Sequence, residues 1–167
     1  MDRVSIFVDV QNIYYTVKQF YSRHFDYTKF LNEATNQRKL NKAIAYAIDR
    51  GDEKQINFQQ MLKNLGFEIK LKPFIQRSDG SVKGDWDVGI TIDVLDYAAV
   101  SDVIVLASGD GDFDLLVKKI KSKFDIQVEV YGVQSLTAES LIDSATKFIP
   151  IKEDLLLLRM LKRAAKD

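Results

Sequence analysis

Residues 103–113 read VIVLASGDGDF. A short apolar, β-branched run bounded by a glycine turn is the pattern of a buried strand, so a strand is expected over Asp102–Ala107. Two acids, Asp110 and Asp112, flank Gly111 directly after it, and a helix is expected over Phe113–Lys123. Outward from this unit the same grammar repeats. VSIFVDVQN (Val4 to Asn12) gives an expected strand Val4–Val8 ending on Asp9, with a helix over Ile13–Tyr21. Asp26 is placed to cap a helix over Tyr27–Ala34. Lys42–Ile48 suits a strand, although its alanines suit a helix nearly as well. A helix over Gln55–Asn64 is expected to stop at Gly66, followed by a strand over Phe67–Phe74. Gln76–Gly84 (QRSDGSVKG) reads as a loop, and Trp86–Ala99 as a helix. A strand over Gln127–Val130, a helix over Thr137–Ala145 and a break at Pro150 complete the body. Such β/α alternation implies an α/β fold with a parallel sheet and helices on both of its faces. One domain is expected over residues 1–150. The tail (152–167, KEDLLLLRMLKRAAKD) is expected to add a C-terminal helical extension, Glu153–Ala165, docked on its own sheet, with a homodimer contact as the second reading.

Composition narrows the function classes. The chain has 167 residues, 46% of them hydrophobic, enough for one domain with a full core. Net charge is zero, which excludes a strongly basic nucleic-acid clamp and leaves room for a local basic patch. There is no cysteine, which excludes disulfides and thiolate metal sites, and His24 is the one histidine, so His-rich metal sites and Ser-His-Asp triads have almost nothing to build on. No apolar run reaches the ~18–20 residues that span a bilayer. The start lacks the apolar region of a secretory signal. A cytoplasmic protein is expected, with no membrane partner.

The acids carry the chemistry. Ligands of open α/β sheets bind at the carboxyl ends of the strands. Asp9 stands at one such end, Ser108, Asp110 and Asp112 at another, and Asp87 opens a helix. Converging carboxylates repel, and a fold that gathers them does so to hold a divalent cation. Oxygen ligands without sulfur or imidazole suit Mg²⁺ or Mn²⁺, and metal-assisted hydrolysis of a phosphodiester is the natural reaction. Each residue also has a plainer role. Asp9 can end its strand and bind local amides, Asn12 can cap the first helix, Ser108 and Asp110 suit turns, and Asp87 suits an N-cap. Six helical residues separate Asp87 from Asp93, a rotation of about 600°, so the two point roughly 120° apart. Basic residues stand nearby in sequence: Lys118, Lys119, Lys121 and Lys123 on the helix after SGDGDF, and Lys70, Lys72, Arg77 and Lys83 around the loop. They suit either a phosphate backbone or a solvated helix face. Tyr14 and Tyr15 suit either stacking on unpaired bases or the core.

Competing motifs fail. Asp110, Asp112 and Asp114 open like an EF-hand, but Leu115 and Lys121 occupy the positions where that loop requires Gly and Glu. Neither a Walker A sequence nor G-x-G-x-x-G is present. A phosphotransfer enzyme with Asp9 as covalent nucleophile would want an acid two residues on, where Gln11 stands.

Together, FVDVQN, KGDWDVGITIDVLDYA and LASGDGDFDLLVKKI resemble, in order and spacing, the three motifs of the NYN domains, a branch of the PIN-like nuclease superfamily, and of their LabA-like group in particular. The resemblance covers about residues 3 to 149. It implies a PIN-like three-layer α/β/α sandwich, an acidic cleft binding Mg²⁺ or Mn²⁺, and hydrolysis of RNA, single-stranded or structured, by an activated water. By position it implies Asp9, Asp87, Asp110 and Asp112 as metal-binding and catalytic acids. It also implies Asn12 and Ser108 as supports and Asp93 as a secondary acid; Lys118 joins the supporting set as a phosphate contact. The chain departs from the group at Val10 or Gln11, where glycine is frequent, and at Thr146, where an acid is frequent. The expected activity is that of a metal-dependent ribonuclease; the alternative is a non-catalytic RNA- or protein-binding regulatory module that keeps the acidic pocket.

Overall fold

In the computed structural model, which describes residues 1–79 and 82–158, strand β1 (Asp2–Asp9) lies in the middle of the sheet and feeds helix α1 (Val10–Tyr21). Helix α2 (Tyr27–Ala34), strand β2 (Arg38–Asp49), helix α3 (Glu53–Leu65) and strand β3 (Glu68–Pro73) build outward on one side. A two-stranded hairpin follows, β4 (Ile75–Gln76) with β5 (Val82–Lys83). After helix α4 (Asp87–Ala98) the chain returns to the middle as β6 (Val103–Ala107), then builds the other side through α5 (Asp114–Phe124), β7 (Gln127–Gly132), α6 (Glu139–Ser144) and β8 (Lys147–Pro150). The six-stranded sheet has the order β3-β2-β1-β6-β7-β8, and every pairing in it is parallel. The α/β architecture expected from the alternation is therefore present.

Alternation along the strands makes two cores. Val4, Ile6 and Val8 face one cluster with Ile13 and Val17 of α1, Phe30 of α2 and Leu62 of α3. Phe7 faces the other, with Ile90 and Val94 of α4, Val117 and Ile120 of α5 and Leu141 of α6. The period of two sends successive side chains to opposite faces, and burial on both faces requires the near-continuous apolar runs that β1 and β6 display. Helices on both faces make the three layers.

Local signals explain several boundaries. The carboxylate of Asp26 accepts from Lys29 N at 3.0 Å and caps α2, as expected. Gly66, at φ 113°, ends α3 in the left-handed region. The ambiguity at Lys42–Ile48 resolves as a twelve-residue strand paired with both β1 and β3. Its Ala43 and Ala45 face one core while Ile44 and Tyr46 face the other. Central burial outweighs the helical preference of alanine.

Three expectations are corrected. The loop over Gln76–Gly84 includes the short antiparallel pairing of β4 with β5. A parallel strand not foreseen, β8, occupies Lys147–Pro150. It is an edge strand ending on Pro150, a place where the missing N–H is harmless. The helix expected over Glu153–Ala165 is absent over its described part. Glu153–Leu155 form a single 3-10 turn, and Leu156 makes an isolated bridge with Phe25. Leu155 and Leu156 are buried while Leu157 and Leu158 are exposed. Extended pairing satisfies the backbone instead: Asp26 N donates to Leu155 O at 2.9 Å and Leu157 N to His24 O at 2.8 Å. Residues 159–167, the rest of that expected helix, lie outside the described residues. Among the described residues no helix is long and apolar enough to cross a membrane.

The sheet order matters for the site. The chain leaves β1 toward one edge and returns to β6 before building toward the other. Neighbouring connections then diverge to opposite faces and open a crevice at the carboxyl ends of β1 and β6, where ligands of such sheets bind.

Candidate metal centre

Register brings the first acid to its partner. Val8 pairs with Ala107, so Asp9 and Ser108, the next residues along, are neighbours across the crevice. Both are buried. The Ser108 hydroxyl donates to Asp9 Oδ2 at 3.0 Å and accepts from Asp110 N at 3.1 Å. Asp9 Oδ1 accepts a long bond, 3.5 Å, from Asn12 N at the start of α1. The Asn12 side chain reaches back and accepts from Gly109 N at 2.8 Å. Gly109 is required here because a Cβ would come within 2.8 Å of Leu136 O. The expected supports Asn12 and Ser108 thus lace the end of β1 to the turn after β6.

The third acid arrives from the other arm of the chain. Asp87 is the first residue of α4, and its amide donates to Asp85 Oδ1 at 3.0 Å. Trp86 anchors the approach, its Nε1–H donating to Ala47 O at 2.9 Å. Gly89 makes room for that ring, since a Cβ there would come within 2.5 Å of it. Carboxylate oxygens of Asp9, Asp87 and Asp110 all lie within 4.8 Å of one another. Each stands at the amino end of a helical segment: Asp9 caps α1, Asp87 opens α4, and Asp110 caps the 3-10 turn Gly111–Phe113. The positive ends of those segments offset part of the repulsion among the acids.

The offset is incomplete. Burial, opposed by the bonds from Ser108 and Asn12 and aided by the charges of Asp110 and Asp85, pushes the Asp9 carboxyl up to about 6. Burial, then the charges of Asp110 and Asp85, pushes Asp87 up to about 7. Such a cluster needs protons or a cation to be stable. Oxygens bound to one Mg²⁺, Mn²⁺ or Ca²⁺ ion at about 2.0–2.6 Å lie at most ~4–5 Å apart, which the trio satisfies. Three hard oxygen donors without nitrogen or sulfur fit a hard divalent ion.

Not every expected residue joins the trio. Asp112 is exposed, and its contribution to the turn is its amide, which donates to Asp110 Oδ1 at 2.9 Å. Asp93 lies among β2 and β3 instead, where its Oδ2 accepts from Tyr46 OH and from Lys70 Nζ, each at 2.7 Å. Lys118 is exposed on α5 and does not line the cleft. Thr146 sits at the other end of the sheet, its Oγ1 accepting from Val128 N at 2.9 Å near the start of β7. The place where the family resemblance leads one to expect an acid is therefore remote from this trio.

The cleft around the trio has a volume of about 870 Å³. Tyr15 lines it, whereas Tyr14 stacks on His24 with ring centroids 5.6 Å apart. Asp85, Trp86 and Tyr46 also line it, and the motif reading gave none of them a role. Asp85 had one signal in sequence, a second acid two residues before Asp87.

Comparison with known proteins places this architecture. The NYN domain family matches residues 3–156. The low amplitude and bright protein LabA of Synechococcus elongatus is 27% identical over 159 residues, covering 90% of this chain and 84% of that protein. A crystal structure of a protein of unknown function from Vibrio parahaemolyticus RIMD 2210633 is 49% identical, covers 93% of this chain and 96% of its own, and superposes with a TM-score of 0.89. With a family match over nearly its whole length, the chain belongs to the NYN domain family.

Proposed function

We propose that the chain is a divalent-metal-dependent ribonuclease. The observation that carries this reading is the convergence of Asp9, Asp87 and Asp110 from three separate segments onto one point of an open cleft. These three carboxylates would hold Mg²⁺ or Mn²⁺. The ion, when bound, supplies polarisation of a phosphoryl oxygen and a lowered pKa for a water at neutral pH.

The protein's own residues supply placement. Ser108 and Asn12 hold Asp9 and the Gly109–Asp110 turn in fixed relation, so the carboxylates need little rearrangement to accept an ion. Asp85 and Trp86 hold the first turn of α4 and hence Asp87. The core behind Asp9 keeps bulk water from one side of the trio, strengthening its pull on a cation. Asp112 serves this arrangement through the backbone of the turn that carries Asp110.

The test is incubation of the purified chain with labelled RNA, with and without Mn²⁺, beside Asp110→Asn. Cleavage that requires Mn²⁺ and is lost in the variant supports the reading. Cleavage that survives the substitution, or RNA binding with no cleavage under any divalent ion, rejects it, the second in favour of a regulatory binding module.

A further inference from the structure

The cleft is electrically two-sided. Its lining includes four carboxylates, Asp9, Asp85, Asp87 and Asp110, and among the described residues two cations, Lys72 and Arg77, on the segment from β3 into β4. We propose that Lys72 and Arg77 form the phosphate-holding wall of this cleft and seat an RNA backbone beside the acid trio; the proposal rests on the ribonuclease reading above.

Pairing separates these two cations from their neighbours. Lys70, on the same face of β3, is neutralised by Asp93 at 2.7 Å. Neither Lys72 nor Arg77 takes part in an ion pair among the described residues. Lys72 is nevertheless held in place. Its Nζ donates to Asp85 O at 2.7 Å and lies 4.6 Å from the centre of the Trp86 ring. An ammonium has three donors, so those not used on the carbonyl remain for an anion. The same contacts tie Lys72 to the 85–87 segment, whose last residue is a member of the trio. A phosphate bound by Lys72 is thereby registered against Asp87. Arg77 is exposed beyond β4, and its planar fork suits a second phosphate.

The lysines of α5 do not form a rival wall. Lys118 and Lys119 are exposed away from the cleft lining, Lys121 donates to Ser144 O at 2.7 Å, and Lys123 lies over the ring of Phe124. Among the described residues that line the cleft, Lys72 and Arg77 are the cations that offset its excess of carboxylates for an entering polyanion. Pro73, Ile75 and Trp86 add an apolar surface beside that path, against which a sugar or base can rest.

The experiment measures fluorescence anisotropy of a labelled single-stranded RNA, without divalent ion, on the full chain carrying Asp110→Asn, chosen to suppress cleavage. Lys72→Met, Arg77→Ala and Lys119→Ala are added one at a time over a series of salt concentrations. Lys72→Met and Arg77→Ala are expected to weaken binding several-fold and to reduce the salt slope by about one each, and Lys119→Ala to leave both unchanged. Arg77 is exposed, so its substitution tests the wall even if Lys72→Met disturbs the fold. Binding that ignores both substitutions, or that weakens as much with Lys119→Ala, overturns the proposal, as does a parent chain that fails to bind RNA. Dependence on Lys72 and Arg77, when the chain with Asp110 intact cleaves no RNA under any divalent ion, sustains the wall and rejects the hydrolase.

Discussion

The hydroxyl of Ser108 stands 3.0 Å from Asp9 Oδ2, joining residues 99 positions apart across the crevice. The same oxygen accepts the amide of Asp110. One buried hydroxyl therefore sets two members of the trio. Ser108→Ala leaves that amide and Asp9 short of a partner, at a cost of about 1–3 kcal/mol. It also removes an interaction that holds the Asp9 carboxyl down, so the carboxylate becomes harder to ionise. A lower melting temperature is expected, together with weaker Mn²⁺ binding whose pH midpoint moves upward. Calorimetric titration at several pH values checks both.

Metal-free stability should fall as pH rises. Asp9 is raised to about 6 and Asp87 to about 7 from an ordinary value of 3.8. The folded state therefore holds these protons after the unfolded state has released them. The stability they contribute is complete below about pH 4 and is lost as pH passes through 6 and 7. For the buried Asp9 the loss is on the order of 2–3 kcal/mol; Asp87, more exposed, adds less. Denaturant unfolding of EDTA-treated protein at pH 5 and pH 8 measures the change, and Asp9→Asn should flatten it. A profile equally steep in the variant would assign the effect elsewhere.

An Asp110→Asn chain should be more stable without metal and less stabilised by it. The substitution removes one charge from a repelling cluster, so the metal-free melting temperature at pH 8 is expected to rise. In the parent, an ion at a hundred times its dissociation constant adds about 2.7 kcal/mol; in the variant most of that increment should vanish. Thermal melts with EDTA and with Mn²⁺ make the comparison.

Asp93 and Thr146 test what a shared motif is worth. Asp93 is occupied by Tyr46 and Lys70, so Asp93→Ala should destabilise the fold by about 1–3 kcal/mol through the unpaired ammonium and hydroxyl. Mn²⁺ affinity of the protein that remains folded should stay within about threefold of the parent. Thr146→Asp, at the opposite end of the sheet, should restore nothing: Mn²⁺ affinity is expected to be unchanged. A tenfold gain would mean that the acid reaches the trio.

The apolar runs at Val4–Val8 and Val103–Ala107, the caps at Asp26 and Gly66 and the acid-bearing turns were legible because each depends on residues close in sequence. β8 was not, because Lys147–Pro150 is a strand by virtue of the partner it finds in β7. The C-terminal leucines misled for a related reason. Their helical preference is a local property, and the edge at His24–Asp26 that claims them is not. The helical period already set Asp93 about 120° around the axis from Asp87; α4 starts one at the crevice and turns the other toward Lys70.

The chain's own order of residues determined that this would be a doubly covered parallel sheet with acids at the ends of its strands, since periodicity and turn chemistry act over a few neighbours. Which acids meet was decided only by the tertiary structure. The strand order puts β1 beside β6 and brings the start of α4 over both, and strand order is set by the burial of whole faces, a balance summed over the entire chain.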